Sequence, residues 1–350
     1  MTSHASSGSP RPCPSHTFEE RVALLSQLPY VDPRAIDGRA VRLFPLWDGQ
    51  QWHAWIAGDR ELSRIRVLDT VEGDYVATQP ALATDLYLPF IDFMWQRASW
   101  PDTCRLISSI SDDFHNLGTS AAKLRCFHDN RISLGSRAVR FAVTELEYVL
   151  VLARGIFDLL QEVVAKFWNT KVRLHDPAYE ALRRRTPVPE SFSKLVLRDK
   201  RSIRTAEEIV ERFHLPLPLA SEYSRLGEFF SSLRDARDLI VHSGRTLGVV
   251  YSTERGFCVV ASDRPFSTFT QWSPIHRYNE NLVSVLPWLS WVVVGTINAC
   301  TTLTTALAST VAFPSPLAPT HKVFVRGPSN EALVHVWEIA NGGSPWWDQA

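Results

Sequence analysis

The sequence predicts a mainly α-helical bundle with a smaller β-rich region near its N-terminus and a β-hairpin inserted between helices. Three observations predict this class. Apolar residues recur every three or four positions over 136–168 and 219–241, as they do on the buried face of a helix. Alternating apolar residues and turn signals concentrate in 40–80 and 247–261, which is typical of short paired strands. No residue is charged between 281 and 320, which adds a third long apolar segment.

The length of 350 residues allows one large domain or two modest ones. We divide the chain by composition and pattern. The predicted parts are a disordered tail rich in Ser, Pro and Gly (1–16), a β-rich N-terminal region (17–100), a helical domain (101–313) that contains a β-hairpin at about 247–261, and a C-terminal extension (314–350).

The helical segments carry start and stop signals. Segment 136–168 is about 45–50 Å long as a straight helix, since each residue adds about 1.5 Å, and it is long enough to form the spine of a domain. Thr205 and Glu208 have the spacing of a capping box at the start of a short helix over 205–214. Gly244 follows the 219–241 segment, and glycine is the usual residue just past a helix end.

The β-signals are local. Asp48-Gly49 separates two Trp-containing strands and predicts a tight hairpin turn. The tryptophans are read as sheet packing, with a ligand surface as the alternative. A second hairpin is expected over 247–252 and 256–261, and a short strand (321–325) and helix (331–340) close the chain.

Bulk properties exclude several function classes. Formal net charge is zero, so a role with nucleic acid must depend on a local patch. The five cysteines are widely spaced and none has zinc-ligand spacing, so we expect no metal, no cofactor and a reducing, cytoplasmic location. The loops that mark nucleotide, dinucleotide and zinc-protease sites are absent from the sequence.

One local patch is the connector 171–204, which holds ten basic and four acidic side chains, a net charge of +6. Such a segment could hold an RNA backbone through phosphate contacts, and a merely solvated loop is the alternative. The candidate RNA-binding residues are Arg183, Arg184, Arg185, Arg198, Lys200, Arg201 and Arg204.

The candidate catalytic residues lie at the end of the 219–241 helix. Arg237 interrupts an apolar stripe where a hydrophobic residue should stand, and His242 follows at the helix end with Asp238 between them. Histidine takes or gives a proton near neutral pH, and arginine holds phosphoryl oxygens as charge builds. These residue types suit metal-independent RNA cleavage by attack of a 2′-hydroxyl on the adjacent phosphorus. Two copies facing each other would bring two such pairs together.

The segment from Arg237 to Gly244 resembles the Arg-x4–6-His motif of the HEPN superfamily, and Asp238 matches the polar residue that commonly follows the arginine. The resemblance implies a small helical domain of four or five helices, commonly a homodimer formed through its helices. It also implies a metal-independent ribonuclease in bacterial defence or toxin systems, with Arg237 and His242 catalytic and Asp238 supporting them. Some members of the superfamily are instead catalytically inactive RNA- or nucleotide-binding domains.

Two alternatives remain open at this point. The chain could be a non-catalytic helical protein that binds RNA or protein, since its net charge is zero and its motif is short. It could also be attached to a membrane, because 282–312 is long enough to span a bilayer. Against the span, polar threonines dilute the segment and no cluster of Lys or Arg closes it.

Overall fold

The computed structural model describes residues 17–58, 61–199, 202–241 and 247–345. Helices dominate these residues. Their bounds are α1 Phe18–Leu25, α2 Pro89–Arg97, α3 Cys104–Asp129, α4 Arg131–Leu134, α5 Ser136–Thr170, α6 Pro177–Arg183, α7 Phe192–Val196, α8 Ala206–Phe213, α9 Leu217–Val241, α10 Leu286–Thr310 and α11 Asn330–Ala340.

The strands form three sheets within the described residues. Their bounds are β1 Leu46–Trp47, β2 Trp52–Ala57, β3 Leu62–Arg66, β4 Gly73–Ala77, β5 Arg173–Leu174, β6 Tyr251–Thr253, β7 Gly256–Val260, β8 Leu282–Ser284, β9 Val311–Ala312 and β10 Lys322–Arg326. The largest sheet has the order β10-β4-β1-β2-β3. It is mixed, because β1 and β4 are parallel whereas the other neighbours are antiparallel.

The five-stranded sheet packs one face on the helices. Leu46 and Val76 on that face belong to the main hydrophobic core, whereas Trp52, Tyr75 and Phe324 form a small aromatic cluster on the other face. Strand alternation separates the two sets. The tryptophan Trp52 is therefore packed in a sheet, as the sequence predicted.

The helix α5 is the spine of the fold. It packs against α3 on one side and against α9 and α10 on others, and it extends over the predicted segment and two residues beyond it. Several helices can bury α5 because its apolar surface is wider than a single helix face. The buried residues of this surface include Leu146, Leu150 and Phe157.

The uncharged segment forms α10, which is long and apolar enough to cross a membrane. In the fold it packs against α2, α5, α9 and α11, and more than half of its most apolar window is buried inside the protein (56%). Threonine side chains such as Thr296 and Thr304 are satisfied by donating to carbonyl oxygens one turn earlier. This arrangement fits a soluble protein.

The predicted fold class is wrong. The structure is 53% helix and 13% strand with three sheets, and an HEPN-like bundle carrying a separate β-rich region is not what it shows. The C-terminal strand β10 pairs with β4 over their full length, so residues from the predicted N-terminal and C-terminal parts form one sheet. The predicted inserted hairpin gains a third strand, β8, and is a three-stranded sheet.

The connector 171–204 also differs from the expected exposed loop. It contains β5, α6 and α7, and Phe192, Leu195 and Val196 of α7 are fully buried. A count of charges does not consider the apolar residues of the connector, and these residues pack it against α5 and α9.

Candidate functional site

The end of α9 places Arg237 and Asp238 at the surface. Their side chains are 34% and 36% exposed, so a ligand could reach both. The Arg237 guanidinium donates from Nη1 to Asp238 Oδ1 at 3.1 Å. Arg234 Nε lies 3.6 Å from Asp238 Oδ2, one helical turn away. Asp238 therefore holds two arginines at one end of the helix.

The helix that carries Arg237 packs against α5 through two described side-chain contacts. The Tyr223 hydroxyl donates to Gln161 Oε1 at 2.9 Å, and the Arg154 guanidinium stands over the Phe230 ring, 4.5 Å from its centroid. Between the two contacts the residue number rises by seven in α9, from Tyr223 to Phe230, and falls by seven in α5, from Gln161 to Arg154. The two helices are therefore antiparallel.

The sequence reasoning missed Glu147. Its Oε1 atom is buried and has no hydrogen-bond partner among the described residues. A buried carboxylate oxygen without a donor is costly. The available signal was helical spacing, because Val143, Glu147, Leu150 and Arg154 lie along one face of α5.

His242, the predicted proton carrier, lies outside the described residues, as do Lys200 and Arg201. The helix that precedes the histidine is described to Val241. The structure therefore brings Arg237 and Asp238 together, while the role of the histidine remains a prediction from the sequence.

Two of the predicted RNA-binding arginines are buried and serve the fold. Arg183 pairs with Glu180, with Nη2 2.7 Å from Oε1, and it donates to the carbonyl oxygen of Trp168. The hydrogen bond that Glu180 accepts from Arg183 lowers the pKa of the Glu180 carboxyl group to about 2. Arg204 donates to the carbonyl oxygens of Lys194 and Leu195 at 3.0 and 3.1 Å and to that of Leu197.

The remaining connector arginines are exposed, with Arg184 beside Glu180 at 3.0 Å, Arg198 beside Glu208, and Arg185 at the surface. The Ser224 hydroxyl donates to the Arg204 carbonyl oxygen, and Ser224 is about 20 Å from Arg237 along α9, at about 1.5 Å per residue. Arg204, at the end of the connector, is therefore not part of the site at the end of α9.

The described residues contain no group of three or more His, Cys, Asp or Glu that could hold a metal ion. The described side chains at the helix end are the cations Arg234 and Arg237 and the carboxylate of Asp238, and His242 follows in the sequence. Comparison with protein-family models, with curated proteins and with solved structures finds no match to this chain.

Proposed function

We propose that the chain is a metal-independent endoribonuclease that cleaves RNA at the end of α9. The observation that carries the proposal is the exposure of Arg237. This residue stands at a position where the apolar stripe of the helix would continue, yet its side chain is one-third exposed and lies beside Asp238. An arginine held by a neighbouring carboxylate is pre-oriented to bind a phosphoryl group. The likeness to the HEPN superfamily supports the proposal at the level of residues 237–244 only.

The proposed reaction balances without an added reactant. The RNA 2′-oxygen attacks the adjacent phosphorus while His242 takes the hydroxyl proton. The bond from phosphorus to the 5′-oxygen breaks, the leaving oxygen takes a proton from solvent water, and protonated His242 returns its proton to the solvent, so that no net proton is consumed. The products are a 2′,3′-cyclic phosphate and a 5′-hydroxyl. Arg237 binds the non-bridging oxygens, whose charge grows in the transition state, and Asp238 orients Arg237.

Product ends test this chemistry. A labelled single-stranded RNA is incubated with the full chain in EDTA, and the fragments are examined by mass spectrometry. We expect cyclic phosphate and 5′-hydroxyl ends, and no cleavage at a position where one nucleotide carries 2′-deoxyribose. Fragments with 5′-phosphate ends would contradict the proposed role of the 2′-oxygen. We further propose that the protein acts in the cytoplasm, in bacterial defence or as a toxin. Degradation of cellular RNA when the chain is expressed in bacteria would test this role.

A second candidate function is non-catalytic binding of RNA or protein. The contact of Asp238 with Arg234 favours it, because ion pairs one helical turn apart also stabilise helices that have no catalytic role. Under this alternative, Arg237→Ala and His242→Ala change thermal stability or ligand affinity, and RNA remains intact in every sample.

A further inference from the structure

The five-stranded sheet carries a half-open cavity of about 780 Å³ on the face that bears its aromatic cluster. Small-molecule sites commonly enclose about 300–1,000 Å³, so the cavity is large enough for a ligand. Its walls are the edge strand β3 and the loops that follow β1, β3 and β4. None of its lining residues belongs to α9, so a site in this cavity does not depend on RNA cleavage at the end of that helix.

Trp47 supplies the aromatic surface of the cavity. Its ring lies 5.1 Å from the buried Trp52 ring, at an angle of 47°, and the two residues are paired across β1 and β2. Arg326 stands over Trp52, 4.8 Å from the ring centroid, whereas Trp47 is only half-buried. Trp47 is therefore the tryptophan that a ligand can reach, and a buried neighbour holds its ring in place.

Apolar side chains extend this surface around the mouth of the cavity. Ile65, Leu68 and Leu82 line it and are 38%, 85% and 54% exposed. Large exposed apolar residues grouped on one surface mark an interaction site more often than scattered ones do. A ligand in the cavity would remove part of this apolar surface from water, which favours binding.

Arg326 forms a wall of the cavity, and its charge is already neutralised. Its Nε and Nη2 atoms donate to Asp85 Oδ1 and Oδ2 at 2.9 and 2.8 Å. Its Nη1 atom donates to Asp69 Oδ1 and to the carbonyl oxygen of Thr70, both at 3.1 Å. Because a bidentate carboxylate holds the guanidinium, Arg326 is not available to bind the phosphate of a ligand.

The two arginines of β3 do not supply a cation to the cavity either. Arg64 and Arg66 reach its edge, but they are paired opposite Trp55 and His53 of β2. Side chains alternate across a strand, so both arginines extend from the helix-facing side of the sheet, where Trp55 packs against the main core. Asp69, which also lines the cavity, is 70% exposed. These charges favour an uncharged ligand over an anionic one.

Hydrogen-bond donors and acceptors both line the cavity. The exposed side chains of Gln50 and Gln51 each offer an amide NH₂ group and a carbonyl oxygen. Their backbone N–H groups donate to Asp48 Oδ1, both at 2.9 Å, which fixes the turn that carries them. Asp69 adds Oδ2 as an acceptor, since its hydrogen bonds within the chain use Oδ1.

We propose that this cavity binds a neutral carbohydrate, with one pyranose ring stacked on Trp47. A pyranose has a C–H face that packs on an indole ring and a rim of hydroxyl groups, each of which donates and accepts hydrogen bonds. The planar amides of Gln50 and Gln51 and the carboxylate of Asp69 are of the kind that bind neighbouring hydroxyl groups. A nucleotide would leave its phosphate without a cation, and a purely apolar ligand would leave these polar groups unpaired.

Binding of the full chain to an array of neutral mono- and oligosaccharides tests the proposal, and isothermal titration calorimetry measures the affinity for the sugar that binds best. We expect an affinity that stays constant between about 0.05 and 0.5 M salt, because salt does not screen the contacts of a neutral ligand. Adenosine and AMP are the comparison ligands. Failure to bind any saccharide, or tighter binding of adenosine or AMP than of any sugar, would overturn the proposal.

Two variants locate the binding. Trp47→Ala removes the stacking surface and Gln51→Ala removes hydrogen bonds, and each should weaken sugar binding at least about tenfold. Because Gln51 is exposed, Gln51→Ala should leave the thermal unfolding curve unchanged, and it tests the site even if Trp47→Ala fails to fold. Gln79→Ala is the matched control, since Gln79 is exposed and does not line the cavity, and it should bind as the wild type does. Sugar binding at full strength in Gln51→Ala and in folded Trp47→Ala would refute this site.

Discussion

The Tyr223 hydroxyl donates to the side-chain oxygen of Gln161 at 2.9 Å in the interior between α9 and α5. Gln161 in turn donates to the carbonyl oxygen of Pro189 at 2.7 Å, which ties the connector to both helices. This buried network joins α9, the helix that carries the candidate site, to α5 and to the connector.

Replacing the two members of this pair should have unequal effects. Gln161→Leu leaves the Tyr223 hydroxyl and the Pro189 carbonyl without partners in the interior, and unsatisfied buried groups cost about 1–3 kcal/mol each. Tyr223→Phe leaves one interior acceptor, Gln161 Oε1, without its donor, so its cost should be about half that of Gln161→Leu. Urea unfolding of both variants measures the difference. Equal losses would show that the network is not satisfied as described.

Glu180 should stabilise the connector through Arg183. Glu180→Gln leaves the buried guanidinium without its anion, and we expect a loss of about 2 kcal/mol at neutral pH. The folded-state pKa is lowered to about 2, below the value of the unfolded chain. This stabilisation is therefore complete above about pH 4.5 and is lost as the pH falls towards 2. Exposed Glu190→Gln is the control, and an equal effect at that position would contradict the assignment.

His128 should make stability depend on pH. Its Nε2 donates to the Thr253 carbonyl oxygen at 2.7 Å, joining α3 to β6, and desolvation lowers the pKa of His128. The unfolded chain then takes up the proton at a higher pH than the folded chain does. Stability from the neutral imidazole is complete above about pH 6.5 and decreases as the pH falls below it. His128→Gln should flatten this part of the profile, and exposed His175→Gln should not. An unchanged slope in His128→Gln would exclude His128 as its source.

Two helical glycines should respond in opposite directions to alanine. A Cβ at Gly295 of α10 would lie 2.6 Å from the Phe229 ring, so crowding of about 1–3 kcal/mol should exceed the gain in helix propensity. At Gly155 the site is open, and alanine should stabilise the chain by about 1 kcal/mol. Thermal unfolding at low protein concentration compares them, and stabilisation at both positions would mean that α9 and α10 are not so closely packed.

Local patterns in the sequence were enough for most elements. The capping box of Thr205 and Glu208 is present at the start of α8, and the turn at Asp48-Gly49 joins β1 and β2. Both depend on residues within a few positions of each other. The pairing of β4 with β10 joins residues about 250 positions apart, and no local signal specifies it. For this reason the sheet was underestimated and the fold class was mispredicted.

The candidate site, too, could be predicted from the sequence only in part. Arg237 and Asp238 could be identified from one helix, because an interruption of an apolar stripe is visible in the sequence. The buried Oε1 atom of Glu147 could not be identified in this way, because its burial depends on the packing around α5. The burial of Arg204 was also hidden, because its acceptors are backbone carbonyl oxygens, which the sequence does not distinguish.

The most direct test of the central claim is the rate of RNA cleavage in EDTA by the wild-type chain and by His242→Ala, at equal concentration and with matched thermal unfolding curves. General acid–base catalysis contributes about 10²–10⁴-fold, so we expect His242→Ala to lose at least a hundredfold in rate while still binding RNA. Arg237→Ala should lose a similar factor. Cleavage by the His242→Ala chain at the wild-type rate would contradict the account.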